Sequence, residues 1–283
     1  MKPILTNEQW WQYHEQGYLH LGKLLDDTEL AQLQQRIDDI MLGKITYDKM
    51  FMQLDAGGAY ENLNFQEIGF KGARLDYRKI EDLERDPKFL SYMQRTVFRE
   101  LCDYHYGAHA SISSFRSMFM NKPAQKGTLL PWHQDGGDGW GLDRDPLVTL
   151  WTALDPATIA NGCVQVIPGS HKLGLLSKRG HTLSPEHVEQ YCPENKIVYL
   201  ELKPGEVVLL HNWLVHRSDV NKTDIPRRAF SVCYMDARTR GTKDGRSYPV
   251  VFGENALSAA GREGSGARGQ GSEVGALAAG AMA

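Results

Sequence analysis

Cysteine is scarce in this chain and scattered. The four thiols, Cys102, Cys163, Cys192 and Cys233, form no CxxC pair and no zinc-knuckle spacing. That excludes a disulfide-stapled or zinc-ribbon fold and fits reduced thiols in a cytoplasmic enzyme. Long apolar runs are also missing. Nothing approaches the ~20 residues that a membrane-spanning helix needs, and Met1-Lys2-Pro3 leads into a polar amphipathic segment, not a signal sequence. Neither sign of charge dominates: 32 Lys and Arg stand against 35 Asp and Glu, for a formal net charge of −3. The chain therefore offers no basic footprint for nucleic acid or anionic lipid, and neither is expected as a partner. No repeat recurs at solenoid or propeller periods.

At 283 residues, with informative motifs spread along most of its length, the chain reads as one domain over residues 1–252. Beyond Gly253 the composition collapses into Gly, Ala and Ser with few large apolar residues. Such a segment cannot bury enough area to fold alone, so 253–283 reads as a flexible tail.

The N-terminal third has helical periodicity. Thr6-x-x-Gln9 is a capping box for a helix to about Gln16, closed by Gly17. A second helix is predicted from Asp27, as its cap, to about Leu42, with Leu30, Leu33, Ile37, Ile40 and Met41 on one face. A third starts at Asp86-Pro87 and turns Phe89, Leu90, Met93, Val97 and Leu101 inward before Gly107. From Ala110 the signals change to strands: 112–120, 147–154, 163–167, 197–202, 206–210 and 229–235, separated by Gly, Pro, Asn and Asp turns. The fold class is α+β and mainly β. Two antiparallel sheets around a ligand mouth, in a double-stranded β-helix or jelly roll buttressed by the N-terminal helices, suit such strands.

Chemistry concentrates in two places. In Pro131-Trp132-His133-Gln134-Asp135, the residues at i and i+2 of a strand share a face, so His133 and Asp135 can grip one ion while Gln134 points away. A distant block, Gly205 to Asn221, supplies His216. Two imidazoles and a carboxylate form the facial triad that holds non-haem Fe(II) and leaves the opposite face open. HxD alone is common by chance, so the second block carries much of the weight. His211 lies five residues before His216, on the opposite face of an extended segment unless a turn intervenes, and is read as a supporting or core residue. His171, after Pro168-Gly169-Ser170, reads as the end of a turn.

The combination of His133-Gln-Asp135, Trp151-Thr-Ala-Leu-Asp155, Asn161-Gly162-Cys with Pro168-Gly169-Ser170-His171, and His216 followed eleven residues on by Arg227 resembles the phytanoyl-CoA dioxygenase family of Fe(II)/2-oxoglutarate oxygenases over about Thr6–Asp236. The resemblance implies a double-stranded β-helix and His133, Asp135 and His216 as metal ligands. It also implies Fe(II), 2-oxoglutarate as cosubstrate, O2, and release of succinate and CO2. By position it assigns cosubstrate contacts to Arg227, Trp151, Met118 and Lys79. Elementary chemistry agrees on arginine, because a dicarboxylate in a partly dry barrel needs a permanently charged bidentate partner. Neighbours on a strand face opposite ways, so at most one of Arg227 and Arg228 points inward; the family spacing selects Arg227.

Two stretches are candidate covers for the site. Residues 136–146 are glycine-rich and acidic but lack the Lys-Ser/Thr of a phosphate loop, which excludes nucleotide binding and suggests a lid. Its best substrate contacts are Asp138, Trp140 and Arg144. Residues 50–77, with Tyr60, Asn62, Asn64 and Arg74, lack periodicity and sit where the family places covering loops. Their groups suit a small polar substrate. Coenzyme A would favour clustered basic residues, for which only Lys172, Lys178 and Arg179 are nearby. The competing readings are a cupin-type metal isomerase or hydrolase, which would not need Arg227, and a non-catalytic binding protein. A halogenase is disfavoured because Asp135 is present where halide would bind.

Overall fold

In the computed structural model, which describes residues 4–63, 67–177 and 181–259, the N-terminal helices lie on one side of a curved sheet and the metal-ligand motifs on the other. The elements run α1 (Asn7–Gln16), β1 (Tyr18–Lys23), α2 (Asp27–Met41), β2 (Phe51–Leu54), β3 (Glu67–Ile68), β4 (Tyr77–Ile80), α3 (Pro87–Met93), α4 (Thr96–Tyr106), β5 (Ile112–Lys122), β6 (Leu130–Gln134) and β7 (Val148–Ala153). There follow β8 (Val164–Val166), β9 (His181–Thr182), α5 (Pro185–Tyr191), β10 (Val198–Leu200), β11 (Glu206–His211), β12 (His216–Ser218), β13 (Arg227–Asp236) and β14 (Val250–Phe252). A large antiparallel sheet in the order β1-β11-β7-β13-β5-β4-β2-β3, with β14 also on β5, faces a small one in the order β10-β8-β12-β6-β9. This is the two-sheet jelly roll that the strand pattern predicts.

Alternation along β13 builds both cores at once. Phe230, Val232 and Tyr234 point toward the helices, where Phe89 meets Phe230 edge-on with ring centroids 4.8 Å apart. Each such buried side chain contributes about 1.5–3 kcal/mol. Ala229, on the other side, packs between the sheets with Trp151, Val208, Leu210 and Leu214. That second, smaller core is the floor on which the site sits.

Local chemistry adjusts several predicted boundaries. The Thr6 capping box and left-handed Gly17 enclose α1 as expected. The cap of α2 is Asp26 rather than Asp27: only Asp26 stands three residues before Glu29, so each carboxylate accepts the other's backbone N–H. The third predicted helix is two, α3 and α4, because Arg95 is extended between them. Long-range bonds hold the break, with Gln94 Nε2 donating to the carbonyls of Val251 and Leu257 and Arg95 pairing with Glu29. Periodicity alone carries no trace of these partners. The stretch 50–77, read as loop, contributes β2, β3 and the start of β4. Asn64, Lys178 and Arg179 lie outside the described residues, as does 260–283 of the tail. Packing continues past residue 252, with Leu257 and Ala259 against the helical core.

Candidate active site

The metal-ligand motif is assembled by strand register. Antiparallel pairing of β6 with β12 sets His133 directly opposite His216, bringing their ring centroids to 3.9 Å. In each ring Nδ1 donates to the backbone carbonyl two residues back, Pro131 O at 2.9 Å and Leu214 O at 2.8 Å. These bonds fix the tautomer and designate Nε2 of both rings for a metal. Asp135 follows directly after β6, its N–H donating to Asn212 O at 2.9 Å, and its Oδ2 lies 4.0 Å from His216 Nε2. One ligand atom from each of the three residues lies within 4.8 Å of the others. Two neutral imidazoles and one carboxylate around one point fit a divalent first-row metal.

Neighbouring bonds immobilise this motif. Gln134, pointing away, donates to the carbonyls of Gly174 and Trp213 and accepts from Leu176 N–H. Asn212 accepts from Thr149 Oγ1 at 2.9 Å and donates to Cys233 Sγ at 3.2 Å, so the turn that anchors Asp135 is tied to the large sheet. A small cavity behind the ligands is lined by Asp135, Thr149, His211, Asn212 and His216. His211 itself accepts from Trp213 N–H through Nδ1 and belongs to the supporting layer.

The wall facing the triad is the inner side of β13, β5, β4 and β2. Register makes Arg227 and Lys122 neighbours, then Ala229 and Met120, Ser231 and Met118, Cys233 and Arg116. Lys79 lies beside Met120 and Gln53 beside Lys79. Arg227 is 4% exposed, its guanidinium 5.4 Å from the centroid of the Trp151 ring, and its Nε and Nη1 have no hydrogen-bond partner. Burial, and to a lesser degree the Arg78 charge, pulls its pKa down to about 10 against the attraction of Cys163 and Asp155. An orphaned buried guanidinium is costly. The site therefore calls for an anion. Arg228 points the other way, paired with Asp155 at 2.7 Å and Asp38 at 2.6 Å.

A model of the phytanoyl-CoA dioxygenase family matches residues 13–229. The chain belongs to that family. It is 28% identical over 243 residues to a probable phytanoyl-CoA dioxygenase of Caenorhabditis elegans, covering 82% of this chain and 76% of that one. It is 26% identical over 243 residues to the human peroxisomal phytanoyl-CoA dioxygenase, covering 83% and 69%. Among solved structures it resembles EctD from S. alaskensis with 2-oxoglutarate and 5-hydroxyectoine, with a TM-score of 0.66, 19% identity and coverage of 91% and 89%. Membership of the phytanoyl-CoA dioxygenase family makes the chain a 2-oxoglutarate-dependent dioxygenase.

Against that family background, the predicted site residues divide. His133, Asp135 and His216 converge, and Arg227, Trp151 and Met118 lie on the opposing wall. Lys79 also lies there but is ion-paired with Glu81 at 2.8 Å. Of the predicted substrate contacts, Trp140 packs on Phe115 with centroids 4.8 Å apart, while Asp138 and Arg144 of the lid stretch and Asn62 of the 50–77 stretch are exposed. Sequence reasoning missed Arg116, Lys122, Arg78 and Gln53. Arg116, Met118 and Met120 alternate along the strand predicted over 112–120, and Lys122 continues the alternation in the longer observed strand, a signal that could have placed them together. Arg78 had none: it is the extra residue of a bulge between Tyr77 and Lys79, which brings its guanidinium to Gln53 Oε1 at 2.8 Å.

Proposed function

We propose that this family member holds Fe(II) on His133, Asp135 and His216 and consumes 2-oxoglutarate and O2. The product side is succinate, CO2 and an oxidised carbon of a small polar substrate. The observation that carries this reading is the Arg227 guanidinium, buried without a partner on the wall opposite the ligands. A dicarboxylate bound at the metal would lend it a second carboxylate, and two charge-assisted bonds would offset its desolvation. The metal supplies the oxygen chemistry that protein side chains lack. The chain's own part is positional. Pro131 O and Leu214 O orient the imidazoles, Asn212 O anchors the Asp135 backbone, and Trp151 with its apolar neighbours keeps water from Arg227.

A small substrate is favoured over an acyl-CoA because Lys172, a candidate for the phosphates, is already paired with Glu15 at 2.7 Å. Among the described residues no helix is long and apolar enough to cross a membrane. The location proposed is the cytoplasm, a reducing compartment that the four free, buried cysteines suit. The test is calorimetric titration of 2-oxoglutarate into the anaerobic Fe(II) protein, followed by succinate release in air. Saturable one-to-one binding and iron-dependent succinate are expected. Metal binding with no 2-oxoglutarate binding would overturn the reading in favour of a metal isomerase or hydrolase.

A further inference from the structure

The inner wall carries more positive charge than 2-oxoglutarate accounts for. Along it stand Arg227, Lys122, Arg78, Lys79 and Arg116. Four of these have an assigned partner. Arg227 has the distal carboxylate of the cosubstrate under the reading above, and Lys79 has Glu81 at 2.8 Å. Lys122 donates to Thr128 O at 2.6 Å, and burial holds its pKa well below the usual lysine range. Arg78 donates to Gln53 Oε1 and lies 5.7 Å over the Tyr60 ring. Arg116 is different. Among the described residues it makes no hydrogen bond and no ion pair, and its neighbours are aromatic faces: the Phe115 ring at 5.1 Å and the Trp140 ring at 5.0 Å.

Its location follows from the strand geometry. Arg116 is the β5 partner of Cys233, whose Sγ accepts from Asn212, the residue that anchors Asp135. The pairing slips by one residue just there, since Cys233 faces Arg116 while Tyr234 faces Ser114, leaving Phe115 as the bulged residue. A bulge suspends the alternation of faces and re-aims the side chains beside it. Phe115 and Arg116 consequently both meet Trp140, which stands five residues after Asp135 in the stretch read as a lid. The acids nearby are already engaged: Asp236 is bound by Arg238, Asp145 by the Gly137 N–H, and Glu81 by Lys79. The guanidinium is thus held by flat apolar faces with its N–H edge unused, the state of an oxyanion receptor before its ligand arrives.

We infer that the substrate is a small molecule bearing an oxyanion group, a carboxylate, sulfonate or phosphonate, and that Arg116 binds this group at the end of the wall away from Arg227. The inference rests on the 2-oxoglutarate reading for its charge balance. Two anions would then occupy the interior, the cosubstrate at Arg227 and the substrate at Arg116. Trp140 would close over the second, and the carbon skeleton between anchor and metal would be presented for oxidation. Arg116 acts by binding and orienting, and selects substrates by charge.

The test uses the anaerobic Fe(II) protein saturated with 2-oxoglutarate, so that Arg227 is occupied. The probes are small carboxylates, sulfonates and phosphonates, each paired with its neutral amide or ester. Calorimetry reads binding, and the tryptophan fluorescence change that is lost in Trp140→Phe reports on Trp140. At least one anion is expected to bind ten-fold or more tighter than its neutral partner. Arg116→Leu and Arg116→Gln should erase that ratio, and Arg116→Lys should restore part of it, while the Kd for 2-oxoglutarate stays within two-fold in all three. Equal binding of acids and amides, absence of binding by every anion to millimolar concentration, or an anion preference that survives Arg116→Leu in a folded protein would each overturn the inference. Failure of 2-oxoglutarate to bind would instead overturn the preceding proposal, and the same charge preference can still be read on the metal-loaded protein alone.

Discussion

Two histidine clusters lie close together in this molecule, and only one of them is built as a metal site. At the first, His133 and His216 face each other across two strands, each with Nδ1 tied to a carbonyl two residues back, and Asp135 completes the group. The second gathers His14, His105, His171 and His211 around Tyr13 beneath α1. Its ring centroids stand 4.9 Å apart for His171 and His211 and 5.5 Å apart for Tyr13 and His105. Here the nitrogens are spent differently: His14 Nε2 bonds Tyr104 Oη, His171 Nε2 bonds His14 O, and His211 Nδ1 accepts from Trp213. No three ligand atoms converge there among the described residues. Burial pushes His105 down to about 4 and His211 to about 3, helped by neighbouring imidazoles. A count of histidines therefore says little. Convergent nitrogens and a carboxylate make the first cluster a receptor, while in the second burial holds His105, His171 and His211 toward the neutral form.

The strongest way to break this contrast is to exchange the fates of the two clusters by mutation. His133→Ala, Asp135→Ala and His216→Ala should each reduce iron-dependent turnover to background, because two ligands cannot hold the metal in an open facial geometry. His211→Ala should keep iron affinity within about ten-fold, as expected for loss of a supporting residue. Iron stoichiometry by absorption spectroscopy decides the matter. Retained iron in His216→Ala with loss in His211→Ala would reverse the assignment.

Next in size is the wall opposite the triad. Arg227→Ala should raise the 2-oxoglutarate requirement about 100-fold, equivalent to ~3 kcal/mol for a lost charge-assisted pair, with iron affinity unchanged. Arg228→Ala should leave that requirement alone and lower the melting temperature, since it strands Asp155 and Asp38. Titration of 2-oxoglutarate into both variants separates the two adjacent arginines.

The contrast also explains what could be read in the sequence. His133, Asp135 and His216 were legible because strand periodicity forces i and i+2 onto one face, and the family spacing supplied the third ligand and Arg227. The two-sheet architecture followed from alternating strands. What stayed hidden depends on register slips and long-range bonds. The bulges that turn Arg78 and Phe115 inward, and the Gln94 bonds that split α3 from α4, have no local signature. His14 and His105 read as ordinary because each lies on a helix with nothing nearby in sequence to mark its ring partners. Position 26 outranks position 27 as a cap only through Glu29, a relation present in the sequence itself.

A smaller effect sharpens the claim that the second cluster is neutral packing. His105 has an ordinary pKa of 6.5 and is lowered to about 4 in the fold, chiefly by burial and then by His14. Between those values the unfolded chain takes up a proton that the folded one refuses. Stability should therefore fall as pH drops below about 6.5 and level off below about 4, by at most about 3 kcal/mol from this group. Tyr13, His14, His171 and His211 face the same space, and His171 and His211, both lowered chiefly by burial, add to the slope. His105→Asn should reduce the slope without abolishing it. Denaturant unfolding of the metal-free protein at pH 7 and pH 5 measures the difference, and an unchanged slope would mean that His105 is not held neutral.

The smallest change asks whether the clusters are independent. Gly17 closes α1 at φ +80, and a Cβ there would come 2.5 Å from His171 Nδ1 and 2.9 Å from Leu214 Cδ1. Gly17→Ala should cost about 1–2 kcal/mol from the left-handed backbone, with some addition from the contacts, or several degrees of melting temperature. Leu214 connects the two regions, since its carbonyl receives Nδ1–H of His216. If the small sheet absorbs the strain in side chains alone, iron affinity stays at its wild-type value while stability falls. If iron affinity falls in parallel, pressure on the packing cluster is reaching the ligand through Leu214. The second histidine cluster would then be the support that sets the His216 ring, and the distinction between receptor and packing unit would be one of role within a single mechanical unit.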